Sequence, residues 1–243
     1  MDLRNQISID VPLEFRITRP VACPYLDGRM EQRLAADIDG FANQHDTLAK
    51  AGFRRVENWV YKPICAGCNA CLPLRIPSGN GRAGGLTISR NQRRVLNRNR
   101  DLTRRILPNH SRADHYDLFA RYLDSRHSDG QMAEMDEDSY TAMVSSSPIE
   151  TVLVEYRLDD NPVAVMMLDL QHDGLSAVYS FFEPDLTDRS LGTFMVLDCA
   201  AIALEMDLPF LYLGYYIENS RKMSYKNRFQ PAEVLRNGIW TAL

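Results

Sequence analysis

The spacing of apolar positions changes several times along the chain, and each change marks an element. The first twenty residues show no helical period, and the prolines of Arg19-Pro20-Val21-Ala22-Cys23-Pro24 exclude a helix interior, so this stretch is expected to be extended. Residues 31–38 place Leu34 and Ile38 on one face of a short helix, and a second helical piece is expected over 43–49, ended at Gly52. Residues 53–61 read as a strand with Phe53, Val56, Trp59 and Tyr61 as its bulky members. Ser89 suits a helix N-cap, and 91–107 reads as a helix whose apolar stripe is Val95, Leu102 and Ile106, stopped by Pro108. Ser111 and Asp114 form a capping-box pattern opening a helix over 112–126, with Tyr116, Phe119, Ala120 and Leu123 on one face. From Ile149 the period drops to two. Residues 149–157, 163–170 and 176–182 read as strands joined by Asp159-Asp160-Asn161-Pro162 and His172-Asp173-Gly174, an antiparallel meander. A helix over 191–206 and a strand over 209–216 follow.

Helix, helix, three-stranded meander, helix, strand is an element order that resembles the acyl-CoA N-acetyltransferase fold, an α/β (α+β) architecture around a mostly antiparallel sheet. The glycine-rich stretch Ser78-Gly79-Asn80-Gly81-Arg82-Ala83-Gly84-Gly85 reads as a linker. It divides the chain into a small cysteine-containing N-terminal domain, 1–85, and an acetyltransferase-like catalytic domain, 86–243.

Composition narrows the class. The chain has 243 residues, 45% hydrophobic and 25% charged, which excludes collagen-like, coiled-coil and wholly disordered chains. The longest apolar stretch, 191–204, is interrupted by Asp198 and falls short of the ~20 residues a bilayer span needs, so no membrane partner is expected. The polar start Met1-Asp2-Leu3-Arg4-Asn5-Gln6 leads into no apolar region, which predicts a cytoplasmic protein with reduced cysteines. The net charge is −4, yet its distribution is uneven: ten arginines and one acid, Asp101, lie between Arg75 and Arg112, whereas 17 acids lie between Asp114 and Asp188. Such polarity implies a basic patch for a polyanion beside a solvated acidic face; the alternative is an arginine-rich helix paired with its own acidic neighbours.

Four segments carry candidate chemistry. Cys65-Ala66-Gly67-Cys68-Asn69-Ala70-Cys71 has the C-x2-C-x2-C spacing that points three thiolates at one centre, and Cys23 is the candidate fourth ligand, for zinc or an iron–sulfur cluster. Reduced structural thiols are the alternative, and Cys199 reads as core. Arg90, Arg93, Arg94 and Arg98, interleaved with Asn and Gln amides and few aromatics, suit the backbone phosphates of a structured nucleic acid. Arg189-Ser190-Leu191-Gly192-Thr193-Phe194 partly fits the loop with which acetyltransferases hold a pyrophosphate at a helix N-terminus, but Phe194 stands where a small residue is needed, so the scaffold is expected to remain with its ligand changed. After the last apolar strand, Lys222, Tyr225 and Lys226 fall at i, i+3 and i+4, which on a helix presents them together.

Seven ordered blocks spanning roughly residues 20–235 resemble the bacterial aminoacyl-tRNA–protein transferases. They are Cys23-Pro24-Tyr25-Leu26, Gly52-Phe53-Arg54-Arg55, Tyr61-Lys62-Pro63 with the cysteine triplet, Ser89-Arg90 with Gln92-Arg93-Arg94, Ser190-Leu191-Gly192-Thr193, Tyr212-Leu213-Gly214-Tyr215, and Lys222-Met223 with Tyr225-Lys226. Bacterial members of that family are leucyltransferases acting on N-terminal Asp and Glu, and eukaryotic relatives are arginyltransferases. The resemblance implies an aminoacyl-tRNA donor, protein acceptors beginning with Asp or Glu, a place in N-degron degradation, no DNA partner, and no cofactor for the transfer itself. It also implies that the N-terminal cysteines hold an iron–sulfur cluster, as in some relatives. The segment 79–85 departs from the family pattern, which predicts looser docking of the two domains.

The donor ester is already activated and the acceptor is an α-amine, so the protein must position both, take or relay a proton, hold the tetrahedral oxyanion and recognise an acidic side chain. For these tasks Lys222, Lys226, Arg54 and Arg55 are the candidate cations, Tyr179, Tyr215 and Tyr225 the candidate polar groups of the pocket, and Ser190 and Gly192 are assigned to the substrate side. Leucine against arginine as the transferred residue stays open. So do a coenzyme A-dependent N-acetyltransferase on the same fold and a non-catalytic RNA-binding protein, with Phe194 weighing against the former.

Overall fold

The computed structural model of the protein describes residues 12–81, 83–126 and 135–243. The N-terminal part is built on a small antiparallel sheet of four strands, β1 (Phe15–Ile17), β4 (Arg33–Asp37), β6 (Trp59–Pro63) and β5 (Arg54–Val56), in that spatial order. A short ribbon of β2 (Val21–Ala22) and β3 (Met30–Glu31) precedes β4, and α1 (His45–Lys50) links β4 to β5. The helix expected over 31–38 is therefore a strand. Two apolar residues at helical spacing are a weak signal, and β4 instead gains ladders to β1 and β6 on both edges. The strand expected over 53–61 folds back on itself, with Glu57 at positive φ in the turn between β5 and β6.

The second sheet has eight strands. Introduced in chain order they are β7 (Leu72–Pro77), β8 (Thr103–Pro108), β9 (Thr151–Leu158), β10 (Asn161–Gln171), β11 (Gly174–Phe182), β12 (Phe210–Tyr216), β13 (Glu233–Arg236) and β14 (Ile239–Ala242). Their spatial order is β14-β13-β7-β12-β11-β10-β9-β8, and every neighbouring pair is antiparallel except β11 with β12. The helices are α2 (Arg90–Arg98), α3 (Ala113–Arg126), α4 (Glu137–Ser145) and α5 (Leu191–Glu205). Because both faces of the sheet are covered, β10 is buried continuously from Val163 to Asp169. Val165 and Met167 face the α3–α4 layer with Phe119 and Tyr140, while Met166 and Leu168 face the α5 layer with Met195 and Leu197. This is the acetyltransferase-like α/β arrangement that the meander and the α5–β12 order predict. No helix among the described residues is long and apolar enough to cross a membrane.

Two further expectations are corrected. The helix predicted over 91–107 ends at Arg98, and 103–108 form the edge strand β8, paired with β9, which leaves Ile106 of the supposed apolar stripe 51% exposed. The glycine-rich stretch is not a loose tether. Ser78 N–H donates to the Pro209 carbonyl (2.8 Å), Gly79 N–H to Ala200 (2.7 Å) and Asn80 Nδ2 to Leu197 (2.6 Å), which fixes it against α5 and the start of β12. β7, which precedes this stretch in the chain, lies inside the large sheet between β13 and β12.

Candidate functional site

Strands β11 and β12 share a ladder only over Gly174–Ser176 and Phe210–Tyr212. Beyond it both run on without bonding to each other, and a parallel pair that separates leaves carbonyls that need donors. Arg54, reaching in from β5, supplies them: its Nη2 donates to the carbonyls of Ala177 (2.8 Å) and Val178 (3.4 Å). On the other side of the gap stands Gly214, at φ +74° and with no side chain to exclude the guanidinium. Among the described residues no carboxylate pairs with Arg54, so a half-buried cation faces the gap with its charge uncompensated.

Lys226 lies beside it. The segment after β12 forms tight turns and a short 3-10 helix, Ser224–Arg228, not an α-helix, so Lys222, Tyr225 and Lys226 do not share a face. Lys226 turns inward, 6% exposed, and donates from Nζ to the Tyr215 carbonyl at 2.7 Å. Burial pushes its ammonium down to about 7, and the neighbouring Arg54 charge acts in the same direction. Tyr225 is 41% exposed as a residue, but burial of its hydroxyl end raises its ionisation above the ordinary tyrosine value, and Lys222 is exposed with no partner among the described residues.

Tyr179, on β11, has a buried hydroxyl with no hydrogen-bond partner among the described residues, and burial raises its ionisation above the ordinary tyrosine value. Its ring meets the edge of Phe119 at 6.0 Å, on the α3 side of the sheet. Tyr122 of α3 lies close enough to influence the hydroxyls of both Tyr179 and Tyr225, and Arg54 acts on Tyr225 as well. Tyr122 was not among the residues expected at the site, and it falls outside the Tyr116, Phe119, Ala120 and Leu123 face read for this helix. Tyr215 is an anchor. Its hydroxyl donates to the Gly52 carbonyl (2.9 Å), with the Tyr61 carbonyl at 3.1 Å, and so ties β12 to the small sheet.

Arg55 departs from its expected role as an acceptor-reading cation. Nε and Nη2 form a bidentate pair with Asp169 (2.8 and 2.6 Å), Nη1 donates to the Glu57 carbonyl, and both charged side chains are 1% exposed. Consecutive strand residues point to opposite faces, so Arg54 enters the gap and Arg55 clamps the two sheets together. With Asp46 accepting from the His172 N–H (3.2 Å), this seam is closely docked, contrary to the looser contact expected.

The four cysteines Cys23, Cys65, Cys68 and Cys71 line one small cavity of about 30 Å3 together with Tyr25, Glu31 and Arg33. Burial, then the nearby Cys65, Cys23 and Cys68, push the Cys71 thiol up to about 12. Four thiols that line one cavity, three of which oppose ionisation of Cys71, suit a soft cation that would neutralise them as thiolates, although among the described residues no three of their sulfurs lie within 4.8 Å of one another. The carboxylate–imidazole set Asp114, His115 and Glu155 is also compact, but Arg157 already sits between its acids, 2.9 Å from Glu155 and 3.8 Å from Asp114.

On α2 Ser89 is the expected N-cap, and with Gln92 it completes a capping box that was not expected: Ser89 accepts from Gln92 N–H and Gln92 Oε1 from Ser89 N–H. Gln92 Nε2 donates to the Arg228 carbonyl (2.9 Å), which fixes the helix beside the Lys226 segment, while Arg90, Arg93 and Arg94 are exposed. Arg98 donates instead to the Asp188 carbonyl, and Arg189 pairs with Asp101 at 2.8 Å, so the loop before α5 is held by the end of α2. Ser190 caps α5 in the left-handed region, and Gly192 lies under the Phe182 ring. Phe194 does not crowd that loop. It is buried edge-on to Tyr156 at 5.2 Å, so the obstacle expected there is core packing.

Comparison with known proteins agrees with this architecture. A family model described as arginine-tRNA-protein transferase, N terminus, matches residues 21–94, and one described as arginine-tRNA-protein transferase, C terminus, matches residues 114–236. The aspartate/glutamate leucyltransferase of Paramagnetospirillum magneticum is 47% identical over 232 residues, 94% of this chain and 93% of that protein. Those of Ruegeria sp. and Gluconacetobacter diazotrophicus are 46% and 43% identical, covering 97% and 96% of this chain and 86% and 88% of those proteins.

Proposed function

Since the chain belongs to the arginine-tRNA-protein transferase family, we propose that it transfers leucine from leucyl-tRNA to the α-amine of proteins beginning with Asp or Glu. The observation that carries this reading is the pairing of an uncompensated guanidinium, Arg54, with a buried amine near neutrality, Lys226, in one strand gap. The acceptor amine attacks the ester carbonyl carbon, the tetrahedral adduct collapses, the ester C–O bond breaks and the ribose hydroxyl leaves. The amine loses one proton and the leaving oxygen gains one, and Lys226, neutral above about pH 7, is placed to relay it. Arg54 reads the carboxylate of the acceptor's first side chain through a charge-assisted hydrogen bond. The hydroxyls of Tyr179 and Tyr225 are the candidate donors to the developing oxyanion, a reading supported by the buried, unpartnered Tyr179 hydroxyl.

The exposed arginines of α2 suit the tRNA backbone, and the four cysteines suit a zinc ion or an iron–sulfur cluster with a structural role near the site. In the cell, leucylated products would enter N-degron degradation in the cytoplasm. Labelled leucyl-tRNA and arginyl-tRNA, each offered with peptides beginning Asp, Glu or Arg, test the reading: label passes from leucyl-tRNA to Asp and Glu peptides. Label taken from acetyl-coenzyme A and from neither aminoacyl-tRNA overturns it. Iron, sulfide and zinc analysis after anaerobic purification tests the thiol centre, which is abandoned if all four thiols titrate freely and no metal is found.

A further inference from the structure

A second concavity adjoins the strand gap. A cleft of about 880 Å3 opens between the cysteine loop and the β13–β14 hairpin, floored by Tyr216 and Ile217 at the end of β12, next to the Tyr215 carbonyl that holds Lys226. Its walls are rich in primary amides: Asn69 stands on the cysteine-loop side, Asn227 and Asn237 on the hairpin side, and Asn219 beyond β12, while Gln230 is already engaged by the Asn227 carbonyl (2.9 Å) and the Ala232 N–H (3.2 Å). Its charge is nearly balanced, with Lys62 and Arg236 against Glu218. Lys62 already donates to the Ala51 carbonyl (2.9 Å) and Arg236 to the Thr241 hydroxyl (3.4 Å).

These features discriminate between occupants. A nucleic-acid strand calls for several free cations and open aromatic faces. Here the lining holds one aromatic, Tyr216, and it is only 4% exposed. A peptide main chain presents alternating N–H donors and C=O acceptors, and a carboxamide side chain offers both at once. Amides on opposite walls therefore match an extended backbone whatever its side chains are. Between them Leu26, Leu72 and Leu235 leave apolar room for those side chains.

We infer that this cleft binds the residues following the acceptor's N-terminal Asp or Glu, in extended form and through their main chain. This rests on the acceptor class proposed above, and it explains how one site accepts many proteins that agree only in their first residue. The first side chain meets Arg54, and the following backbone lies along Asn69 and Asn219.

Direct binding of peptides carrying a C-terminal fluorophore tests it without requiring turnover. An Asp-initiated hexapeptide is compared with its Asn-initiated counterpart, with an Asp-initiated dipeptide and with the same Asp-initiated hexapeptide N-methylated at residues three to five, on the wild type and on Asn69→Ala and Asn219→Ala. The hexapeptide binds more tightly than the dipeptide; each substitution, and N-methylation on the wild type, weakens it about 2- to 10-fold, with dipeptide and leucyl-tRNA affinities unchanged. Equal affinities for hexapeptide, N-methylated hexapeptide and dipeptide overturn the cleft assignment while leaving the proposed transferase intact. Weakened leucyl-tRNA binding with unchanged peptide binding overturns it in favour of a nucleic-acid occupant. Tighter hexapeptide binding that is equal for Asp- and Asn-initiated chains supports the cleft and instead removes the acidic-acceptor reading.

Discussion

Arg54 occupies the space that a side chain on Gly214 would fill: a Cβ built at position 214 would lie 1.0 Å from Arg54 Nη1. The two residues come from different sheets, 160 positions apart in sequence, and form one device. β12 gives up its side chain, and takes a backbone conformation that other residues rarely adopt, so that a cation from β5 can reach the carbonyls of β11.

Gly214→Ala must displace the guanidinium and accept φ +74°, a strain of roughly 1–2 kcal/mol for an L-residue. We expect stability in urea to fall by at least that much and kcat/KM for an Asp-initiated peptide to fall more than about tenfold, from loss of positioning. Unchanged kinetics in a folded Gly214→Ala variant would show that Arg54 need not stand in the gap.

Lys226 sets a pH dependence. Its proton is lost as pH rises through about 7, and the acceptor α-amine, at about 7.7–8.0, must also be neutral, so log kcat/KM climbs with slope two below pH 7 and slope one between the two values. Lys226→Met leaves slope one throughout and lowers the rate about 10²- to 10⁴-fold. The stability sign follows from the same depression. Between about 7 and the ordinary lysine value the unfolded chain holds a proton that the folded chain does not, so stability rises with pH across that window, and Lys226→Met flattens the rise.

The Arg55–Asp169 pair is buried on both sides, and removing one partner strands the other charge. Asp169→Ala and Arg55→Ala are each expected to lose about 3–5 kcal/mol in chemical denaturation. The double variant should lose less than the sum of the two. Among molecules that stay folded, the preference for Asp over Asn acceptors is unchanged, which separates this clamp from Arg54.

Arg90→Ala combined with Arg93→Ala removes two exposed guanidiniums from α2. Filter binding or anisotropy against tRNA should show weaker affinity and a log–log salt slope shallower by roughly one to two. Arg98→Ala, which frees the Asp188 carbonyl, should instead lower stability with less effect on the slope.

What was legible in the sequence was what local pattern determines. The period-two runs that became β9, β10 and β11, the apolar run of α5 and the Ser89 N-cap each carry their own signal. Elements fixed by distant partners were not legible. Residues 33–37 and 103–108 are strands because β1, β6 and β9 bind them, and β13 and β14 exist because β7 offers an edge. The site follows the same division. Gly52-Phe53-Arg54-Arg55 marked two cations, but only the strand's orientation decides which faces the gap. The spacing of Lys222, Tyr225 and Lys226 was sound for an α-helix, and the 3-10 turn separates them. The cysteine spacing did report a shared cavity, which all four residues line without three of their sulfurs meeting as a compact ligand set.

The central claim is that Arg54 reads an acidic acceptor side chain, and kcat/KM for matched Asp- and Asn-initiated peptides with leucyl-tRNA tests it most directly. A charge-assisted hydrogen bond of about 1.5–3 kcal/mol predicts an Asp-to-Asn preference of roughly tenfold or more in the wild type. Arg54→Ala should bring that preference close to one, with Arg55→Ala, where folded, retaining it. An Arg54→Ala enzyme that keeps the wild-type Asp-to-Asn ratio would contradict the account.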